Sequence, residues 1–175
     1  MKGTYRIRVQ TKKVIYDFII RRNITIITGD SAKGKTTLID YISDYYNYGK
    51  DSGVNLICDK SCIALSGVNW KQQLGATKDS IVFIDEGNKF ISSVDFAHVV
   101  KNSDNYYVIV TREKLANLPY SINEIYGIID SGKLEHISHS YKGYEYSKDK
   151  LSDAYLQDIT MKKILDTIEN INFDE

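Results

Sequence analysis

The chain has 175 residues, of which 42% are hydrophobic and 26% charged, and this composition is typical of one globular domain rather than a disordered chain. Its 23 basic and 23 acidic residues balance, which argues against a general nucleic-acid coat or membrane-surface binder. No run approaches the ~18 apolar residues of a membrane span, and residues 1–10 lack the apolar core of a signal peptide. We therefore expect a cytoplasmic protein.

The first part of the chain predicts a hairpin, then a strand, a glycine-rich loop and a helix. Polar and apolar residues alternate over 4–10, and the run 14–20 is also strand-like, so the two are predicted to pair. Residues 23–28 are apolar enough for a buried strand, and apolar residues recur at helical spacing over 35–46. Residues 1–22 carry seven basic residues against one acidic residue, so this hairpin is basic.

The rest of the chain continues the α/β pattern. The predicted elements are short strands at 54–58 and 62–65, a helical piece at 70–74, a buried strand at 80–86, a helix capped by Ser92 or Ser93 and running to 101, a strand at 106–110, a hairpin of 125–130 with 134–138, and an amphipathic helix within 149–175. We predict a three-layer α/β fold with a mostly parallel central sheet and antiparallel hairpins near both ends. One domain would span 1–175, with a basic hairpin at 1–22, a core at 23–140 and a C-terminal helix at 149–175.

The strongest motif is a phosphate-binding loop between the buried strand and the first helix. Gly29, Gly34, Lys35 and Thr36 match G-x-x-x-x-G-K-[ST] without a mismatch. In such a loop, backbone N–H groups cradle phosphates, the lysine reaches the β- and γ-phosphates, and the threonine hydroxyl binds Mg²⁺. The residues predicted to bind nucleotide are Gly29, Asp30, Ser31, Ala32, Lys33, Gly34, Lys35, Thr36 and Thr37.

Two carboxylates follow the buried strand at 80–86. Asp85 and Glu86 stand at its carboxyl end, the edge of a parallel sheet at which ligands bind. Asp85 is predicted to assist Thr36 in binding Mg²⁺. Glu86 is predicted to act as the base that activates water for attack on the γ-phosphate.

The glycine loop together with residues 83–86 resembles the P-loop NTPases of the additional-strand, catalytic-glutamate division, which includes ABC and AAA-type ATPases. The resemblance implies ATP as substrate. It also implies that the polar residue ending the strand after Asp85, here Thr111, senses the γ-phosphate, and Arg112 beside it is a candidate catalytic arginine. The run 105–128 is also similar to small ATP-binding proteins of bacterial mobile elements and phages.

The departures from the ABC pattern exclude a transporter. Only 50 residues separate Lys35 from Asp85, too few for the helical subdomain of ABC proteins, and no L-S-G-G-Q segment occurs. A second resemblance is to a segment of thymidine kinases, carried by Ile84, Asp85, Glu86 and Gly87 followed by Phe90. The zinc-binding cysteine pairs of that family are missing. A nucleoside kinase is therefore the alternative enzyme.

These observations predict a Mg²⁺-dependent ATPase coupled to an unknown partner. A nucleotide-gated interaction module with little turnover stays open as a non-enzymatic alternative. Relatives often complete the site with a neighbour's residue, so the resemblance is compatible with a homo-oligomer or a partner protein; nucleic acid also stays open as a partner, whereas a membrane is not expected. Cys58 and Cys62 are too few for a disulfide framework and are expected to be reduced thiols.

Overall fold

A computed structural model describes residues 3–29, 34–130 and 135–139 of the chain. The strands are β1 (Tyr5–Gln10), β2 (Ile15–Ile20), β3 (Ile24–Thr28), β4 (Asn55–Ile57), β5 (Cys62–Ala64), β6 (Ile81–Ile84), β7 (Tyr106–Val110), β8 (Ile125–Asp130) and β9 (Glu135–His139). The helices are α1 (Lys35–Tyr48), α2 (Trp70–Ala76) and α3 (Val94–Lys101), with short 3₁₀ helices at Gly49–Ser52, Lys89–Ser92 and Ile122–Glu124.

The described strands form one mixed sheet in the order β4-β1-β2-β9-β8-β3-β7-β6-β5. Its core is parallel, from β5 through β6, β7 and β3 to β8. The hairpins β1–β2 and β8–β9 are antiparallel, as the sequence predicts, and so is the pairing of β4 with β1. The predicted mostly parallel α/β core is confirmed.

Helices cover both faces of the parallel core. Leu38, Ile39 and Ile42 of α1 pack on one face with residues of β3, β6 and β7. Trp70 and Leu74 of α2, with Phe96 and Val100 of α3, cover the opposite face. Because β3, β6 and β7 are buried on both faces, nearly every residue in them is apolar, which is why their sequences predict strands so clearly.

The N-terminal hairpin is part of the same core rather than an appendage. β2 pairs in parallel with β9, which joins the hairpin to the sheet, and Ile7, Val9 and Phe18 pack in one cluster with α1. The sheet therefore curls, and α1 lies between the parallel strands and the antiparallel strands β1, β2 and β4. The sequence predicts neither this enclosure of α1 nor the partners of β1 and β2, because periodicity reports burial and not the partner of a strand.

Local turn chemistry explains the ends of several elements. The Ser93 hydroxyl accepts a hydrogen bond from the Phe96 backbone N–H at 3.1 Å and so caps α3. Ser92 has another role, since its hydroxyl donates to the carbonyl of Lys89.

The predicted turn at 131–133 and the helix within 149–175 lie outside the described residues. In the described part of the chain, no helix is both long and apolar enough to cross a membrane.

Candidate functional site

The predicted site residues meet at the carboxyl ends of three adjacent parallel strands. β3 ends at Thr28 and leads into Gly29, β6 ends at Ile84 and leads into Asp85, and β7 ends at Val110 and leads into Thr111. β7 lies between β3 and β6, and the register pairs Ile27 with Val110 and Ile84 with Ile109. The sheet therefore brings the start of the glycine loop, the two carboxylates and Thr111 to one edge.

Both ends of the glycine loop that the structure describes need glycine. Gly29 has φ +124° and Gly34 has φ +76°, conformations that other residues adopt at a cost. A Cβ atom at Gly29 would meet nothing within 4 Å, so the backbone conformation, and not space, selects glycine there. Gly34 precedes α1 and has no side chain to cap it, so the first N–H groups of the helix point towards the loop.

Lys35 begins α1 yet is buried, with only 6% of its surface exposed. Its Nζ atom donates a hydrogen bond of 2.8 Å to the carbonyl oxygen of Gly29, across the loop. The lysine thus holds a positive charge beside Gly29, between the two described ends of the loop. Thr36 is exposed in the first turn of α1 and Thr37 is half-buried. Asp30, Ser31, Ala32 and Lys33 lie outside the described residues.

Tyr16 of β2, in the N-terminal hairpin, contacts the Gly34 end of the glycine loop. Its ring is buried, and its hydroxyl donates a hydrogen bond of 2.8 Å to the carbonyl oxygen of Gly34. The same carbonyl accepts the backbone N–H of Leu38 at 3.0 Å. The apolar character of β2 favours burial of Tyr16, but no local signal predicts its contact with residue 34.

A tight turn fixes Asp85. One oxygen of its carboxylate accepts the backbone N–H of Glu86 at 2.8 Å, and its carbonyl accepts both the backbone N–H and the side-chain amide of Asn88. The Asn88 side-chain oxygen in turn accepts the backbone N–H of Gly67, from the loop after β5. Asn88 therefore positions Asp85, a role that sequence reasoning did not assign to it.

Negative charge gathers beside Asp85. The pKa of Asp40, on α1, is raised by partial burial first, and then by repulsion from Asp85 and Asp44. Asp40 lies one helical turn after Thr36, so Asp85 and the first turns of α1 share one electrostatic environment. A hydroxyl with nearby carboxylates is the kind of oxygen donor set that Mg²⁺ prefers, and a divalent cation would relieve the repulsion. Thr36 and Asp85 thus supply oxygen donors of the kind that the predicted Mg²⁺ site requires.

Glu86 and Arg112 form a two-pronged ion pair across the ends of β6 and β7. The Nε atom of Arg112 donates to Oε2 of Glu86 at 3.1 Å, and its Nη2 atom donates to Oε1 at 2.9 Å. The Glu86 side chain is one-third exposed and that of Arg112 is about half exposed. Such parallel contacts fix the plane of a carboxylate. The predicted base and the predicted catalytic arginine are thus direct partners.

Thr111 is buried between β3 and β6, and its backbone N–H donates to the carbonyl of Ile27 at 3.0 Å. Its hydroxyl accepts the backbone N–H of Glu113 at 3.0 Å. Thr111 thus stands at the predicted edge, while its hydroxyl stabilises the turn that presents Arg112. The predicted role as sensor of the γ-phosphate stays a prediction.

Among the described residues, no group of three or more His, Cys, Asp or Glu side chains forms a metal cluster. Three of the basic residues within 1–22 have acidic neighbours: Arg6 and Arg8 pair with Asp17, and Arg22 lies 3.8 Å from the buried Glu124. Compared with protein families and with curated proteins, the chain matches no family and no curated sequence.

Proposed function

We propose that this chain is a small Mg²⁺-dependent P-loop ATPase that hydrolyses the β–γ bond of ATP in the cytoplasm. The observation that carries the proposal is the convergence of Lys35, Asp85 and Glu86 at one edge of the parallel sheet. The extra strand β7, between β3 and β6, fits the additional-strand division that the motifs resemble. Adenine as the base rests on that resemblance alone.

Each residue has a role that its surroundings support. The loop between Gly29 and Gly34 and the N-terminal end of α1 would bind the phosphates through backbone N–H groups. Lys35, whose charge lies across the loop, would exchange its bond to the Gly29 carbonyl for bonds to phosphate oxygens. Because the amine is buried, little water competes for that contact.

Thr36 and Asp85 are the residues that would hold Mg²⁺, which when bound would supply positive charge to the phosphate oxygens. Asn88 keeps the main chain of Asp85 in place through two hydrogen bonds. A buried apolar strand ending in a braced turn is a rigid support for a metal ligand.

Glu86 would take a proton from the attacking water as the water oxygen bonds to the γ-phosphorus and ADP departs. Arg112 would orient the Glu86 carboxylate through its two contacts, and its positive charge would offset negative charge that develops during transfer. Thr111 supports the turn that carries Arg112.

The same ion pair favours a second candidate, a nucleotide-gated interaction module. With both Glu86 oxygens bonded to Arg112, the base is engaged, and turnover would stay slow until a partner drew Arg112 away. The partner would then be a second copy of the chain, another protein or a nucleic acid. The two functions differ in the rate of hydrolysis that the isolated protein supports.

Product analysis tests the proposal. The protein is incubated with Mg-ATP, alone, with a nucleoside mixture and with DNA, and the nucleotides are separated by chromatography, with Lys35→Ala as the blank. We expect ADP and free phosphate from the wild type and neither from Lys35→Ala. Bound, unreacted ATP would favour the interaction module, a nucleoside monophosphate would identify a kinase, and absence of ATP binding would refute the proposal.

A further inference from the structure

The two cysteines of the chain line one cavity away from the proposed ATP site. Cys58 follows β4 and Cys62 begins β5, so they flank a three-residue loop. The cavity has a volume of about 410 Å³, and its wall includes both cysteines, the loop between them, and Tyr45 and Tyr46 of α1. It is large enough to admit a small organic molecule.

The two thiols differ in access. Cys58 is half-buried and reachable through the cavity, whereas Cys62 is 5% exposed and lies in the core cluster beneath it. The Cys62 sulfur lies 3.6 Å from the carbonyl oxygen of Lys60, in the loop between the two cysteines. A small reagent entering the cavity therefore reaches Cys58 before Cys62.

The two thiols also differ in acidity, and each affects the other. The pKa of Cys58 is lowered to about 7, first by a hydrogen bond from the Cys62 thiol and then, against the effect of burial, by backbone N–H groups in the loop. The hydrogen bond to Cys58 and burial raise the pKa of Cys62. At neutral pH about half of the outer sulfur is therefore thiolate, while the inner sulfur keeps its proton.

We propose that Cys58 and Cys62 form a redox-active thiol pair that reacts with low-molecular-weight disulfides, with Cys58 as nucleophile and Cys62 as resolving thiol. The Cys58 thiolate attacks one sulfur of the disulfide, forming a mixed disulfide and releasing the first small thiolate. Cys62 then loses its proton to solvent, and its sulfur attacks that of Cys58 and releases the second small thiolate. Two protein thiols are oxidised and one small disulfide is reduced to two thiols.

A dithiol fits the site better than a metal centre does. A structural zinc site takes four ligands, and in the part of the chain that the structure describes no third His, Cys, Asp or Glu joins the pair. This inference does not rest on the proposed ATPase activity.

The absolute rate at which Cys58 reacts with a disulfide is a poor test of the proposal, because two effects on that rate oppose each other. A pKa of about 7 in place of about 8.5 raises the thiolate fraction at neutral pH roughly fifteenfold, but lower basicity weakens the nucleophile roughly fivefold. The net advantage over an ordinary exposed thiol is only about threefold. The pH dependence and the order of reaction of the two cysteines are therefore the informative quantities.

The test uses the reduced full-length chain, freed of reductant and treated with oxidised glutathione, with intact mass and peptide mapping as readouts. We expect the wild type to lose two hydrogen atoms in mass and to link Cys58 to Cys62. Cys62→Ser should accumulate a persistent glutathione adduct on Cys58. Cys58→Ser, the matched control, should stay unmodified at Cys62 over the same period.

A second measurement on the wild type needs no variant, so misfolding of either serine variant leaves the proposal testable. Limited alkylation with iodoacetamide across pH should label Cys58 first, with a midpoint at about pH 7. The proposal would be overturned by thiols that stay reduced with oxidised glutathione, by labelling of Cys62 before Cys58, or by a midpoint near about pH 8.5 as in an ordinary thiol.

Discussion

Tyr16 links the hairpin to the glycine loop through one hydroxyl, and its removal tests that link. Tyr16→Phe should keep the ring packing and lower the free energy of unfolding in urea by about 0.5–1 kcal/mol, since the Gly34 carbonyl keeps its bond from Leu38. Tyr41→Phe, on a ring that touches Tyr16, is the matched control and should change stability by less than about 0.5 kcal/mol. If both substitutions lowered the free energy of unfolding equally, the hydroxyl of Tyr16 would stabilise the fold no more than that of Tyr41 does.

Arg112 separates the two proposed functions. If it orients Glu86 for catalysis, Arg112→Ala should lower kcat about tenfold and leave KM for ATP nearly unchanged, because the contact is to the base and not to bound nucleotide. Arg112→Lys keeps the charge but loses the two parallel contacts, so it should recover only part of the rate. Steady-state kinetics of ATP hydrolysis distinguish the two functions. If Arg112→Ala hydrolysed ATP faster than the wild type, the ion pair would restrain Glu86, as the interaction module requires.

The sequence identifies the individual residues of the candidate site but not the contacts between them. The glycine loop and the apolar run before Asp85 each follow from local rules: φ requirements, strand burial and motif spacing. The Glu86–Arg112 pair joins residues 26 apart, and the Tyr16–Gly34 contact joins residues 18 apart. No local pattern encodes such pairs, because they depend on which strands become neighbours.

A side-chain cap fixes where α3 begins. Ser93→Ala removes the acceptor for the Phe96 N–H and should lower the free energy of unfolding by about 1 kcal/mol. Ser92→Ala, one residue away and exposed, removes no helix cap and should cost less than about 0.5 kcal/mol. Urea denaturation measures both variants; a larger effect at Ser92 would contradict the assigned cap.

The pairing of elements was less predictable than their existence. The runs at β3, β6 and β7 are almost entirely apolar, so their burial is evident from sequence. The addition of β4 to β1 and of β2 to β9 depends on long-range register, since β4 is a three-residue strand with little pattern of its own. Periodicity therefore predicts the layers of the parallel core but not the antiparallel strands that close over α1.

At the scale of the whole molecule, the enclosure of α1 predicts that the hairpin and the parallel core unfold together. Phe18→Ala in β2 opens a cavity in the cluster that contains α1 and should lower the free energy of unfolding by about 3–4 kcal/mol. Trp70, the only tryptophan, lies on the opposite face of the sheet and reports the other core.

In Phe18→Ala, the urea transitions followed by Trp70 fluorescence and by circular dichroism should move together to lower concentration. Val68→Ala, at a side chain that is 93% exposed, is the control and should leave both transitions in place. A Trp70 transition that stays fixed while the dichroism changes would mean that the hairpin unfolds separately.

In the proposed mechanism, Glu86 activates water for ATP hydrolysis at a site whose nucleotide binding depends on Lys35. Its most direct test is a single-turnover measurement of bound ATP in the wild type and in Glu86→Gln, which keeps the size of the side chain and removes its basicity. We predict that Glu86→Gln binds ATP with an affinity near that of the wild type and hydrolyses it at least about 100-fold more slowly. Hydrolysis by Glu86→Gln at the wild-type rate would contradict the proposed role of Glu86 as the base.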